Sequence, residues 1–275
     1  MRAAEKEKDR FAELRGYFRG YACVKEGVIL EIGALSDVGR IRKINEDSFK
    51  IFDGEDYSYA IVADGMGGHQ AGEVASSMAV ECISGYIEKR LDVKMDRFQA
   101  MEVIRRAFLY ANSKIYAYSC ENDSVMGMGT TATLCMVRGG YVIFAHVGDS
   151  RAYMIGSSGI SQITRDHSYV QELVKLGQIT PEEAKHHPRR NYITRAMGVE
   201  QALKVDTGVK PYNGERLLLC SDGLIDDIED TELGELACGC SADEGVKRLV
   251  GLANERGGKD NITVVIMCGD TPSDF

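Results

Sequence analysis

Nowhere in the 275 residues does an apolar stretch approach the roughly 18–20 needed to span a bilayer. A soluble protein is therefore expected. The eight cysteines include no C-x-x-C pair, and Cys238-Gly239-Cys240 lacks metal-ligand spacing. Cys82, Cys135, Cys220 and Cys268 lie inside apolar runs, where free cysteine behaves as a small hydrophobe. With no secretory signal at the start, reduced thiols in a cytoplasmic protein are expected, rather than disulfides or zinc. Basic charge is scarce too. Lys and Arg number 33 against 42 Asp and Glu, and the net charge of −9 excludes a general nucleic-acid or anionic-membrane binder. There is no internal repeat, low-complexity tract or long linker, so one domain is the simplest division.

What is present begins with a charged segment, MRAAEKEKDR, followed by Phe11, Leu14, Phe18 and Tyr21 at helical spacing. This predicts an appended amphipathic helix within residues 1–27, either docked on the domain or free for a partner or membrane surface. The main domain is expected over 28–275. Val28–Leu35 and Asp47–Phe52 read as strands, and residues 72–90 and those after Asp96 as two long helices. Thr131–Val137, Tyr141–Val147 and Ala152–Ile155 then form a meander. Blocks of strands and helices, rather than alternating units, predict an α+β fold. Residues 166–198 form an insert with two helix starts, at Asp166-His167-Ser168 and at Thr180-Pro181-Glu182-Glu183, the second in capping-box order.

Four aspartates stand where apolar strand-like runs stop or start: Asp64, Asp149, Asp222 and Asp260. Any one alone could serve as a turn or cap residue. Four in the same context predict a cluster, and a cluster of unpaired carboxylates repels itself unless a cation is present. Glycine beside them lets backbone carbonyls approach a ligand. Oxygen-only sites suit Mg²⁺ or Mn²⁺, and histidine-rich metal spacing is absent. Two such ions can activate water for attack on a phosphoryl group with no protein nucleophile. Arg42, within Asp37–Asp47, offers the planar fork that matches phosphate, although in isolation it reads as a surface ion pair.

The ordered motifs S-D-x-G-x-x-R-x-x-N-E-D at 36–47, D-G-M-G-G at 64–68, M-G-T-T at 128–131, G-D-S-R at 148–151, T-x-D-H-S at 164–168, S-D-G-L at 221–224 and D-N-I-T at 260–263 make the chain recognisable. It resembles the metal-dependent type 2C Ser/Thr protein phosphatases in their bacterial single-domain form, over about residues 30–270. The resemblance implies two antiparallel β-sheets packed as a sandwich, flanked by helices, with a binuclear metal centre at one end. It assigns Asp64 as the bridge between two ions, the Gly65 carbonyl and Glu46 to one of them, and Asp222 and Asp260 to the other. Asp149 would join Asp222 at a third, weaker ion, and Arg42 would hold the phosphate. Asp37, Asn45, Asp47, Thr130 and Asn261 would support these groups.

One departure concerns proton transfer. Many eukaryotic members carry histidine directly after the Asp-Gly pair, where this chain has Met66. His69 could act as general acid, or cap the following helix, with water at the metal centre serving instead. His146 and His167 read as structural, and His186 with His187 as a pair favoured by a helix end. The insert matches the family's flap in position, and Arg189, Arg190 and Arg195 are its candidate contacts to phosphoprotein substrates, which a bacterial Ser/Thr kinase would supply. A catalytically silent binding module and a small-phosphoester hydrolase are the competing readings.

Overall fold

The structure is a computed structural model that describes residues 18–19, 23–25, 28–67, 71–226 and 228–269. Strand β5 (Ser58–Met66) shows how the layers arise. Tyr59, Ile61 and Ala63 pack into one apolar cluster and Ala60 and Val62 into another, so alternate residues serve opposite faces. Both faces are covered, which is why the strand reads as an unbroken apolar run.

Around it, β4 (Asp47–Asp53), β6 (Gly129–Thr130), β7 (Ala132–Arg138), β8 (Tyr141–Val147) and β11 (Asp206–Pro211) form one antiparallel sheet, ordered β11-β8-β7-β5-β4, with β6 on β5. The facing sheet contains β1 (Phe18–Arg19), β2 (Cys23–Lys25), β3 (Val28–Asp37), β9 (Arg151–Gly156), β10 (Gly159–Gln162), β12 (Arg216–Cys220) and β13 (Ile262–Gly269). Its order is β1-β3-β13-β12-β9-β10, with β2 also on β3. Leu30, Ile32, Val62, Cys135, Leu217, Leu219, Val265 and Met267 fill the space between the sheets.

Helices close both outer faces. On the first sheet lie α1 (Ala71–Arg90) and α2 (Arg97–Glu121), where Ile83, Ile104, Phe108 and Ile115 meet Tyr59, Ile61 and Leu134. Asp96 starts α2 with a reciprocal capping box to Gln99. On the second lie α6 (Asp230–Ala237) and α7 (Ala242–Glu255), packing Leu233, Val246 and Leu249 on Leu218, Val264 and Ile266. The expected sandwich flanked by helices is the fold.

The insert holds α3 (Tyr169–Lys175), capped by Ser168, and α4 (Pro181–Lys185), whose Thr180–Glu183 capping box is present as predicted. A one-turn α5 (Asp222–Ile225) follows β12. The N-terminal helix prediction needs correction where the residues are described. Phe18–Arg19 and Cys23–Lys25 are short strands paired to β3, with Phe18 opposite Ala34 and Cys23 opposite Leu30. An open strand edge offers backbone partners that outweigh a four-residue helical period. Phe11, Leu14 and Tyr21 lie outside the described residues.

Cys82, Cys120, Cys135, Cys220, Cys238, Cys240 and Cys268 are free, and burial pushes the thiols of Cys135, Cys220 and Cys268 up to about 12, so they stay protonated. Among the described residues no helix is long and apolar enough to cross a membrane. Leu219→Ala, which opens a cavity between the sheets, should cost about 2–5 kcal/mol. Thermal melting should fall by about 2–4 °C per kcal/mol, and an unchanged midpoint would show that the sandwich interior is not the principal core.

Candidate metal centre

Antiparallel register brings distant strand ends to one end of the sandwich. Asp47 at the start of β4 stands directly opposite Asp64 near the end of β5. Ala132 pairs with Val147, so β8 delivers Gly148-Asp149 to the same end. In the other sheet Cys220 pairs with Val264 and Ile262 with Asp37, which places Ser221-Asp222, Asp260-Asn261 and Asp37 there as well. All four strand-end aspartates therefore converge as the sequence predicted.

Asp47 and Asp149 are buried, while Asp64 and Asp222 keep part of their surface open. Loss of hydration, with mutual repulsion added, pushes Asp47 up to about 7 and Asp222 to about 6, and holds Asp64 and Asp149 well above the ordinary carboxylate range. Asp64 and Asp222 lie close enough that each shifts the other's ionisation. Glu46 Oε1, Asp47 Oδ1, Asp149 Oδ1 and Asp222 Oδ1 are buried and find no donor among the described residues. Orphaned anionic oxygens are what a divalent cation satisfies. Among the described residues no three His, Cys, Asp or Glu side chains are arranged as a closed coordination shell.

A hydrogen-bonded frame fixes where these acids stand. Asn261 Oδ1 accepts from Glu46 N at 2.8 Å, and its Nδ2 donates to the Val38 and Ile44 carbonyls at 3.0 Å, tying the Arg42 loop to β13. Ser221 Oγ donates to Asp47 Oδ2 at 2.7 Å and accepts from Thr263 N at 2.9 Å. Thr130 Oγ1 and Thr131 N donate to the Asp64 carbonyl, while Asp64 N donates to Thr131 Oγ1. Asn45 Oδ1 takes Asp47 N, and Asp37 Oδ1 takes Gly39 N and Asn254 Nδ2. Glycine at 65 is obligatory, because a Cβ there would lie 2.0 Å from the Gly72 carbonyl oxygen.

Ser221 and Thr131, inside the S-D-G-L and M-G-T-T segments, and Gly72, against the Gly65 backbone, support the site without a sequence signal of their own. Arg42 extends over the acids, half-exposed, and donates from Nη2 to Asp260 Oδ2 at 2.7 Å. In the insert, Arg189 lies over the rings of Tyr169 and Tyr192, and Arg190 is exposed. Arg195 does not reach outward as predicted. Its Nη1 donates to Asp206 Oδ1 at 2.8 Å, a partner on β11 that the sequence reading had not placed as a strand. His69 falls outside the described residues.

Residues 41–261 match the protein phosphatase 2C family profile. A curated relative, the serine/threonine phosphatase stp of Listeria welshimeri, is 40% identical over 235 residues, covering 84% of this chain and 93% of the relative. The crystal structure of the serine/threonine phosphatase Stp1 from Staphylococcus aureus superposes with a TM-score of 0.83 at 38% identity, covering 92% of this chain and all (100%) of that one. The catalytic domain of PstP in complex with two manganese ions gives 0.78 at 35% identity, covering 89% of this chain and 100% of that one. The chain belongs to the protein phosphatase 2C family.

In a 2C-type fold, the raised carboxyls have a consequence for stability without metal. Their unfolded values lie near 3.8, whereas Asp47 and Asp222 in the fold titrate at about 7 and about 6. The folded state thus binds more protons, and this contribution is present below about pH 4 and lost as pH rises through 6 to 7. In EDTA, Asp222→Asn should melt above the wild type at pH 8, with the gain shrinking toward pH 5. A variant that melts lower at pH 8 would show that this carboxylate is not held at a cost.

Proposed function

We propose that the protein is a Mn²⁺- or Mg²⁺-dependent protein-Ser/Thr phosphatase that hydrolyses phosphoserine and phosphothreonine without a covalent phosphoenzyme. The observation that carries this reading is the set of four orphaned carboxylate oxygens on Glu46, Asp47, Asp149 and Asp222, gathered beside an arginine. Oxygen donors with no histidine or cysteine among them fit hard divalent cations. Asp64 would bridge two ions, with the Gly65 carbonyl and Glu46 serving one and Asp222 and Asp260 the other; Asp149 would join Asp222 at a third, weaker ion. When bound, such ions lower the pKa of water and stabilise charge on the phosphoryl group.

The chain's own residues do the rest. Arg42 binds and orients the phosphate through the donors that Asp260 leaves free, since a guanidinium has five and one N–H is used here. Asn261, Ser221 and Thr130 hold the acids in register through the bonds described above. Met66 has no proton to give, so protonation of the leaving alkoxide falls to His69 or to water. Arg189 and Arg190 on the flap would meet the phosphoprotein, which a bacterial Ser/Thr kinase would phosphorylate in the cytoplasm.

Hydrolysis of a phosphothreonine peptide, titrated with Mn²⁺ and Mg²⁺ against EDTA, tests the reading. Release should require metal, and Asp64→Asn or Asp222→Asn should lose more than the about 10–100-fold typical of residues that only support a metal ligand. Metal-independent release, or full activity in either variant, would remove the metal assignment. Arg42→Ala should raise KM about 10-fold or more, the equivalent of one charge-assisted hydrogen bond. An unchanged KM would return Arg42 to the role of a surface ion pair. Deleting the flap should spare aryl phosphate hydrolysis and impair phosphopeptide turnover; equal losses would count against substrate selection there.

A further inference from the structure

The Gly148-Asp149 turn is gripped from one side by His167. Gly148 N donates to His167 Nδ1 at 3.0 Å, and His167 N donates back to the Gly148 carbonyl at 2.7 Å. Gly148 has φ of 110° and a Cβ there would lie 2.5 Å from Thr131 Cγ2, so the turn can neither change residue nor shift toward Thr131. The following residue is held too, because Ser150 Oγ lies 2.7 Å from Thr131 Oγ1 and its carbonyl accepts from Thr133 Oγ1 at 3.2 Å. Asp149 Oδ1, between these anchors, has no hydrogen-bond partner among the described residues.

The His167 ring is itself oriented. A backbone N–H can only donate, so Nδ1 accepts and the proton of the neutral ring sits on Nε2. That nitrogen faces Asp206 Oδ2 at 3.2 Å. Arg195 Nη1 lies 2.9 Å from Nε2, where two N–H donors meet without a hydrogen bond, so its hold on the ring runs through Asp206, to whose other oxygen it donates at 2.8 Å. Behind it His146 packs with ring centroids 4.8 Å apart, its Nδ1 2.8 Å from Thr133 Oγ1. Five residues from four separate segments thus converge on one peptide unit.

We propose that His167, oriented by Asp206, which Arg195 holds in place, is a positioning residue that fixes the Gly148-Asp149 turn and so aims the Asp149 carboxylate toward Asp222. The inference rests on the metal reading above, in which Asp149 and Asp222 share an ion. It assigns Arg195 to the inside of the site instead of the substrate-facing flap.

The test is calorimetric titration of the full-length protein with MnCl₂, alongside melting temperature and aryl phosphate kinetics, for wild type, His167→Leu, His167→Asn and Arg195→Met. Leucine removes the acceptor, whereas asparagine keeps an oxygen near the Nδ1 position. His167→Leu should weaken the weakest Mn²⁺ step about 10-fold or more and leave the tighter steps within about 2-fold. His167→Asn should recover most of that loss, and Arg195→Met should show a smaller weakening of the same step. A lower melting temperature in His167→Leu with wild-type Mn²⁺ binding would overturn the proposal, as would equal losses in the leucine and asparagine variants. If His167→Leu fails to fold, unaltered Mn²⁺ binding in Arg195→Met overturns it and selective weakening supports it. Absence of Mn²⁺ binding by the wild type would defeat the metal reading and this inference together, a failure distinguishable because it precedes any substitution.

Discussion

Everything at the open end of this sandwich follows from holding like charges where they would otherwise separate. Asp47 and Asp64 face each other directly across a β-ladder, an arrangement that is unfavourable for two charged carboxylates. Burial of Asp47 compounds it, since the protein interior withholds the water that would screen the pair. Relaxing the strain would mean shifting strands, and the strands cannot shift. A slip of β5 by one residue would turn Tyr59, Ile61 and Ala63 from the helices toward the facing sheet and expel Ala60 and Val62 from it. The apolar register of the core therefore sets the position of the acids. Neutralisation by a proton or a cation is the remaining release, and the first of these is what the upward-shifted carboxyls register.

That division of labour explains what was legible in the sequence. Asp64 announces itself because glycine follows it and five apolar residues precede it; a carboxylate there ends a buried apolar run for a reason unrelated to packing. The two long helices and both flap helices were readable from periodicity and caps, since Asp96, Ser168 and Thr180 each satisfy backbone donors locally. Strand β11 was not readable. Its sequence, DTGVKP, carries glycine and proline and lies at a sheet edge, so pairing to β8 rather than any local preference makes it a strand. For the same reason the partner of Arg195 was hidden: Asp206 becomes its neighbour only once β11 is in place. Spacing along the insert could identify basic residues, but not which of them already had a carboxylate.

The supporting residues share a further property that sequence alone does not reveal. Asn261 bonds to three backbone groups between Val38 and Glu46, and Ser221 bridges Asp47 to β13. Each joins one sheet to the other, or a loop to a sheet, across the end where the acids gather. Short polar side chains are suited to this because they have few rotamers to lose and make bonds in fixed directions. A longer side chain at 261 would reach past the backbone groups it now satisfies. The site is thus rigid at its supports while its anionic oxygens remain without donors, and these two properties together favour a cation over a rearrangement of the protein.

Arg42 shows how the same electrostatics extend to substrate. It donates to Asp260, with Glu46 and Asp64 also acting on its charge, and it sits on a loop that Asn261 fixes at both ends. A guanidinium surrounded by carboxylates would bind phosphate poorly, because the dianion would enter a region of negative potential. In the function proposed, cations bound among the acids would reverse that sign, and Arg42 would then present its unused donors to an anion in a favourable field. On that reading phosphate recognition by Arg42 and cation binding by the aspartates would form one coupled equilibrium, and loss of any buried carboxylate should weaken both.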